Sequence, residues 1–334
     1  MAMGNTLGDD WVVETCDRHG CAFALKVTAK LHDEQSAIQR LEVYQTRDWG
    51  NLLLLDGCTM VSERDNFIYH EMLSHPALFI HTDPRRVAII GGGDCGALRE
   101  ALRHPGVQSV TQIDIDERVT RVAERFFPAL CEANDDPRAT LLFADGLAWL
   151  RDVRPGTLDV LIVDSTDPVG AGAVLYGEAF FAACFAALAE GGVLVQQSES
   201  PLVHGEVLAG LHRRMWGAGF SAVRTAFFPL PIYPTGWWSA TLAAKRADLT
   251  GLRAADVRDR PFRTAYYNAD MHRAAFAMPE FFKRANQTWR RRDEVWRADP
   301  GWAISCHHQT LIGDLMHKQN ADYQCPAGER WDGG

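Results

Sequence analysis

Two rhythms of apolar and polar residues run along the chain, and they change over near residue 66. Between Trp11 and about Met60 the pattern alternates in short segments, Ala22–Val27, Gln39–Thr46 and Asn51–Leu55, with the turn Asp48-Trp49-Gly50-Asn51 between the last two. Period-two segments bounded by turn residues predict a small antiparallel β domain made of hairpins. From Asn66 to Phe79 the residues Phe67, Met72, Leu73 and Leu78 fall at helical spacing, and Pro84 ends the connection.

Beyond Val87 strand and helix signals alternate. Val87–Ile90 runs into a glycine turn and a helix, and Val110–Ile115 is a second strand. Val119, Val122, Ala123, Phe126 and Phe127 share one helical face. Leu141–Ala144 and Val160–Val163 are short continuous apolar runs, as in strands buried on both faces. Phe180–Leu188 reads as helix, Gly191-Gly192 leads into the strand Val193–Gln197, and His204–Gly217 is again helical. Ser221–Phe228 and Trp238–Ala244 suit a closing antiparallel hairpin, and helical character returns at Met271–Ala285. The expected architecture is α/β: a Rossmann-like, doubly wound sheet with a C-terminal antiparallel hairpin, behind a small N-terminal β domain. The boundaries are residues 1–65 for the β domain and 66–286 for the catalytic domain with its C-terminal helix. Residues 287–334, polar and irregular with Arg290-Arg291-Arg292, are expected to form a peripheral or flexible tail.

Composition narrows the class. The 334 residues are 47% hydrophobic and 23% charged, which suits two globular domains. No apolar run approaches the roughly 20 residues of a membrane helix, and Met1 to Asp10 lacks the basic-then-apolar layout of a signal peptide. The eight cysteines form no CxxC pair, and Cys58, Cys131 and Cys184 sit in apolar stretches. That usage predicts core filling in the reducing cytoplasm. A net charge of −9 argues against a nucleic-acid partner and agrees with a cationic substrate.

The chemistry starts in the glycine turn. Gly91, Gly93 and Gly96 satisfy G-x-G-x-x-G, a loop whose N–H groups and helix N-terminus ordinarily hold a pyrophosphate. Asp94 lies inside that loop, where it repels a phosphate and attracts a cation. Asp114 ends the second strand about 20 residues on, the usual place for an acid on ribose hydroxyls. Asp145, followed by Gly146, ends the third strand, and Asp164 ends the fourth within Asp164-Ser165-Thr166-Asp167-Pro168. Each also suits a helix N-cap or an Asx turn; Asp116 and Glu117 are read as helix-start acids. Four strands bringing four acids to one crevice call for a cationic ligand. Metal-ligand spacing is missing: there is no H-x-x-x-H or D-x-D-x-D-G loop, and His307-His308 reads as a solvated pair.

These residues resemble the polyamine aminopropyltransferase family almost continuously from Trp11 to about Ala285. The most specific stretches are Leu55-Asp56-Gly57, Glu63-Arg64-Asp65, Tyr69-His70-Glu71, Gly91 to Gly96 with Leu98-Arg99-Glu100, and Asp164 to Pro168. Ile232-Tyr233-Pro234-Thr235-Gly236, Tyr266-Tyr267-Asn268, His272, Ala274-Ala275-Phe276 and Pro279 follow in order. The resemblance implies a Rossmann-like methyltransferase fold whose crevice is covered by the β domain. It implies two small-molecule substrates, decarboxylated S-adenosylmethionine as co-substrate and putrescine as acceptor, with no separate cofactor or metal, giving spermidine and 5′-methylthioadenosine. By motif, Asp114 holds the ribose, Asp145 and Gly146 meet the adenine, and Gln39 reaches the nucleoside from the β domain. Gly91 and Ala171 border the donor, and Asp94 and His70 flank its aminopropyl amine. Asp164 is the general base, while Asp167, Tyr69 and Tyr233 position the diamine. No nucleic-acid or membrane partner is implied, and a homodimer or homotetramer is. Departures from the family pattern are Met60 for glutamine, Asn66 for glutamate, Cys95 for glycine, Asp114 for glutamate, Ala171 for proline, and Trp237-Trp238 for smaller residues. The alternatives are a diamine N-methyltransferase using unmodified S-adenosylmethionine, an aminopropyltransferase with another acceptor amine, a non-catalytic binding protein, and, from the glycine fingerprint alone, an NAD-dependent dehydrogenase.

Overall fold

The computed structural model describes residues 7–168 and 170–284, with the backbone alone at 170 and 171. The predicted tail, Ala285 and the 286/287 boundary lie outside the described residues.

Five strands, β1 Trp11–Cys16, β2 Cys21–Gln35, β3 Arg40–Thr46, β4 Asn51–Leu55 and β5 Cys58–Ser62, pair antiparallel in chain order. The period-two reading located β2, β3 and β4; β1 and β5 complete the sheet at its two edges. The run Leu52-Leu53-Leu54-Leu55 in β4 is apolar on both faces because both are covered. Leu53 and Leu55 pack with Val119, Val122 and Phe127, while Leu52 and Leu54 pack with Leu25 and Ile232. The small sheet thus shares its core with the following domain and roofs it.

That domain begins with α1 Asn66–Ile80, buried along nearly its whole length although Pro76 removes one of its N–H donors. Its central sheet holds β6 Arg86–Gly91, β7 Ser109–Asp114, β8 Ala139–Phe143, β9 Leu158–Asp164, β10 Leu188–Gln197, β11 Ala222–Pro229 and β12 Trp237–Ala244. The order is β11-β12-β10-β9-β6-β7-β8. Strands β10, β9, β6, β7 and β8 are parallel, and β12 runs antiparallel to both β10 and β11. This is the doubly wound sheet with a closing hairpin that the sequence predicts. The chain leaves β6 toward β7 and later returns to β9 on the other side, so a crevice opens at the C-terminal ends of β6 and β9. Gly91 and Asp164 face each other there in register.

The connecting helices are α2 Gly96–Leu102, α3 Glu117–Phe126, α4 Gly146–Asp152, α5 Glu178–Ala187 and α6 Gly205–Gly217, with α7 Ala254–Asp259 and α8 Ala269–Ala275 after the sheet. The single helix predicted from Met271 onward stops at Phe276, because the backbone ahead of Pro279 is biased away from helix. The late segment is pinned by Glu71 of α1, whose buried carboxylate accepts N–H bonds from Ala265, Tyr266 and Tyr267 at 2.7–2.9 Å. No helix of the described residues is long and apolar enough to cross a membrane.

Candidate active site

The three fingerprint glycines each make room for an acid or for its partner. Gly91 has φ +79°, and a Cβ there would stand 2.2 Å from the carbonyl oxygen of Asp164. A Cβ on Gly93 would stand 2.9 Å from Asp114 Oδ2, and one on Gly96 would stand 2.2 Å from the His70 ring. The loop is built for close approach of side chains from β7, β9 and α1. Cys95, where the family pattern has glycine, takes a left-handed φ of 68°, the conformation glycine adopts at least cost.

Asp94 occupies the place a phosphate takes in a dinucleotide site. Its Oδ1 accepts the Gly96 N–H at 2.8 Å, at the first turn of α2, and its Oδ2 meets His70 Nε2 at 3.0 Å. Burial pushes the Asp94 pKa up, but the charge and hydrogen bond of His70 outweigh it and leave the carboxyl below its ordinary range. Burial likewise works against the His70 cation, and Asp94 more than restores it. The pair is an ion pair with its negative member toward the cleft. His70 Nδ1 has no hydrogen-bond partner among the described residues.

Asp94 lines a cleft of about 1290 Å³, measured with its open mouth, between the β domain and the sheet. Gln39, Gly91, Asp114, Asp145, Gly146, Asp164, Tyr69 and Tyr233 also border it. Asp114 is the last residue of β7, and burial raises its pKa to about 6 although the Asp116 N–H donates to it at 2.8 Å. Asp164 ends β9, and the Tyr69 hydroxyl donates to its Oδ1 at 2.6 Å. Burial, then the charge of Asp94, push the Asp164 pKa up to about 7. A carboxylate tuned to neutral pH is suited to take a proton from an amine.

A second, much narrower pocket, about 360 Å³ with its open mouth included, continues past Asp164, with Tyr69, Tyr233, Met60, Ser165 and Thr166 bordering both spaces. Asp167 lines only this inner pocket. Burial and the neighbouring Glu199 raise its pKa well above the carboxylate range. Burial also raises Glu199 and Glu14 to about 7 each. Glu14 and Asp167, both half-buried, line the pocket, and the buried Glu199 lies behind Asp167; acids so close either retain protons or receive a cation. Sequence reasoning missed Glu14 and Glu199. Glu199 lies just past the end of β10 in a left-handed backbone with φ 66°, so the strand-end rule that marked Asp164 reaches it. Glu14, inside the edge strand β1, carries no such signal.

Several predicted residues take roles different in detail from the expectation. His70 is buried behind Asp94 and does not line the cleft, so Asp94 stands between it and that space. The Tyr233 hydroxyl donates to the Met60 carbonyl at 2.6 Å, and its ring forms the wall shared by the two pockets. Asp145 lines the cleft and also caps α4, its Oδ1 accepting the Ala148 N–H at 2.9 Å. Of the aromatic pair, Trp238 reaches the inner pocket and donates to Gln197 at 3.2 Å. Trp237, on the opposite face of the strand, packs against Phe227 and Phe281. The side chain of Ala171 lies outside the described residues. Asp116 caps α3 as expected, and its second oxygen accepts bonds from Ser36 at 2.7 Å and Gln39 at 3.2 Å. That latch joins the roof to the sheet and sets Gln39 over the cleft.

His70, Asp94 and Asp164 offer donor atoms within 4.8 Å of one another; with His70 protonated against Asp94, the spot suits an ammonium better than a metal.

Two family models match consecutive parts of the chain. The spermidine synthase tetramerisation domain matches residues 10–63, and the spermine/spermidine synthase domain matches residues 66–251. A polyamine aminopropyltransferase of Alkalilimnicola ehrlichii is 58% identical over 276 residues, 82% of this chain and 96% of the relative. One of Halorhodospira halophila is 57% identical over 276 residues, 82% of this chain and 99% of the relative. Among solved structures, a spermidine synthase in complex with the transition-state analogue AdoDATO superposes with a TM-score of 0.81 at 35% identity, covering 84% of this chain and 96% of that one. Spermidine synthase from Thermotoga maritima gives a TM-score of 0.79 at 35% identity, covering 83% of this chain and 94% of that one.

Proposed function

The chain belongs to the spermine/spermidine synthase family of polyamine aminopropyltransferases, and on that premise we propose that it moves the aminopropyl group of decarboxylated S-adenosylmethionine to putrescine, with Asp164 as general base. The observation that carries this reading is the position of Asp164. It lines the larger cleft next to Ser165 and Thr166, which border both pockets, is bonded to Tyr69, and is held near neutral pKa.

In this reading the nucleoside fills the larger cleft, with its base by Asp145 and Gly146 and its ribose hydroxyls on Asp114. Gln39 closes on it from the roof. The aminopropyl ammonium pairs with Asp94, whose charge His70 secures. The diamine lies in the inner pocket, its far ammonium between Asp167 and Glu14, with Glu199 behind Asp167, and its near amine at Asp164. A primary amine with a pKa of about 10 arrives protonated and is not a nucleophile. Asp164 accepts its proton, and the freed lone pair attacks the carbon beside the sulfonium. The new C–N bond forms as the C–S bond breaks, its electron pair passing to sulfur, which leaves as the neutral thioether of 5′-methylthioadenosine. A sulfonium is already a good leaving group, so holding and aligning the two substrates is the larger part of the work. The donor is a co-substrate, and no further cofactor enters the step.

Asp94 favours this donor over the unmodified one, whose α-carboxylate would meet a like charge. Incubation with decarboxylated S-adenosylmethionine and putrescine, read by mass spectrometry, is expected to give spermidine and 5′-methylthioadenosine, with activity unchanged by EDTA. Methylated putrescine from unmodified S-adenosylmethionine would overturn the proposal. Rates across putrescine, cadaverine and spermidine then fix acceptor length, which Met60 and Trp238 bound at the inner pocket. The match of residues 10–63 to a tetramerisation domain supports assembly of copies through the β domain. Light scattering on the purified chain is expected to give the mass of a dimer or tetramer.

A further inference from the structure

Outside the cleft, the tip of the β1–β2 hairpin meets the start of α6. Cys16 ends β1, His19 sits in the turn Asp17-Arg18-His19-Gly20, and His204 immediately precedes α6. One donor atom from each of Cys16, His19 and His204 lies within 4.8 Å of the others. The His19 and His204 ring centroids are 5.4 Å apart. We propose that Cys16, His19 and His204 bind one zinc ion, with water in the fourth position, and so tie the roof domain to the catalytic domain beside the inner pocket.

Two features support a metal here. The first is spacing: in a tetrahedral zinc site, bonds of roughly 2.0–2.3 Å set neighbouring donors about 3.3–3.8 Å apart. The three donors lie within 4.8 Å of one another, close to that separation. The second is the partner behind His204. Its Nδ1 lies 3.1 Å from Glu199 Oε2, the carboxylate–histidine arrangement that fixes a ligating imidazole and leaves Nε2 for the ion. Arg18 opposes a cation at this point, whereas Asp167 and Glu199 favour one.

Donor chemistry selects the metal. One thiolate with two imidazoles suits a borderline-soft ion such as Zn²⁺, while Mg²⁺ and Ca²⁺ take oxygen donors. Cys21 faces Cys16 across the hairpin ladder but is not among the three donors. All three are partly exposed, so the ion enters from solvent. The three ligands are separate from Asp94 and Asp164 and supply no group to the transfer step, which keeps the site compatible with activity in EDTA; Glu199 behind His204 is shared with the acceptor side.

The test is a titration of the metal-free full chain with Co²⁺ and then Zn²⁺. One equivalent of Co²⁺ is expected to produce a thiolate-to-cobalt charge-transfer band that Zn²⁺ displaces. Cys16→Ser should abolish the band, and His19→Ala and His204→Ala should each weaken binding more than tenfold. Glu199→Gln should weaken it by roughly 10–100-fold, the usual cost of removing a carboxylate behind a ligating histidine. Cys306, His307 and His308 lie outside the described residues and carry metal-binding groups of their own, so a triple variant with Cys306→Ser, His307→Ala and His308→Ala runs in parallel and should keep both band and affinity. Undiminished affinity in His204→Ala, or loss of the band in the triple variant, would overturn the proposal. Should His204→Ala fail to fold by circular dichroism, His204→Gln replaces it under the same criterion.

Discussion

Replacing Asp164 with asparagine should make the unliganded protein more stable while removing its activity. The folded chain holds this carboxyl near pKa 7 against 3.8 for an ordinary aspartate. At neutral pH and above, keeping it ionised in the cleft therefore opposes folding. At about 1.36 kcal/mol per pH unit the full difference is about 4 kcal/mol. Water in the cleft reaches the half-buried side chain and screens part of this, so about 2 kcal/mol is the expected gain. The sign follows from proton binding. The raised pKa means that the folded state takes up the proton more readily, so the wild type is relatively stable below pH 4 and loses that advantage as pH rises through 7. Asparagine keeps an oxygen for the Tyr69 hydroxyl and carries no charge. Thermal melts of the unliganded enzyme should place Asp164→Asn above the wild type by about 4 °C at pH 8. The gap should shrink toward pH 5, while turnover at pH 8, where the wild-type base is ionised, falls by orders of magnitude. An Asp164→Asn protein that melts at or below the wild type at pH 8 would refute the electrostatic account. Near-normal turnover would refute the base assignment.

Other outcomes follow from the same geometry. The rate of transfer should fall as pH drops through about 7, where Asp164 takes up its proton; a flat profile between pH 8 and 6 would remove it as the base. Asp94→Asn should raise the donor KM by roughly 10–100-fold, the scale of a lost charged hydrogen bond, with a smaller effect on the acceptor KM, and steady-state kinetics separates the two. Glu71→Ala should cost about 3–5 kcal/mol in denaturant unfolding, since three N–H groups of residues 265–267 lose a buried carboxylate. Gly91→Ala should cost about 3 kcal/mol or more, because its Cβ would meet the Asp164 carbonyl in a backbone already at positive φ.

The acids at the strand ends are legible in the amino-acid sequence alone. A parallel strand stops where it meets a turn, and ligands collect beyond those ends. An acid closing an apolar run, as Asp114 and Asp164 do, is therefore visible as sequence. The same rule reaches Glu199 but not Glu14, because an edge strand tolerates acids for many reasons. The standing of His70 behind Asp94 is not visible in that way. It depends on where α1 crosses the glycine loop, and the missing side chain of Gly96 that admits the ring becomes meaningful only once the helix is in place.

Local pattern by itself determined the alternation of strands and helices, the glycine turn, and the placement of a carboxylate, Asp94, inside that turn. Those properties rest on neighbours within a few residues. Tertiary structure decided which acids share one space and what their proton affinities become. Tyr69 reaches Asp164 across 95 residues of sequence, and burial set by two domains closing together raises Asp164, Asp167, Glu14 and Glu199. Desolvation and charge–charge repulsion depend on distance in space, and spacing along the chain does not encode that distance.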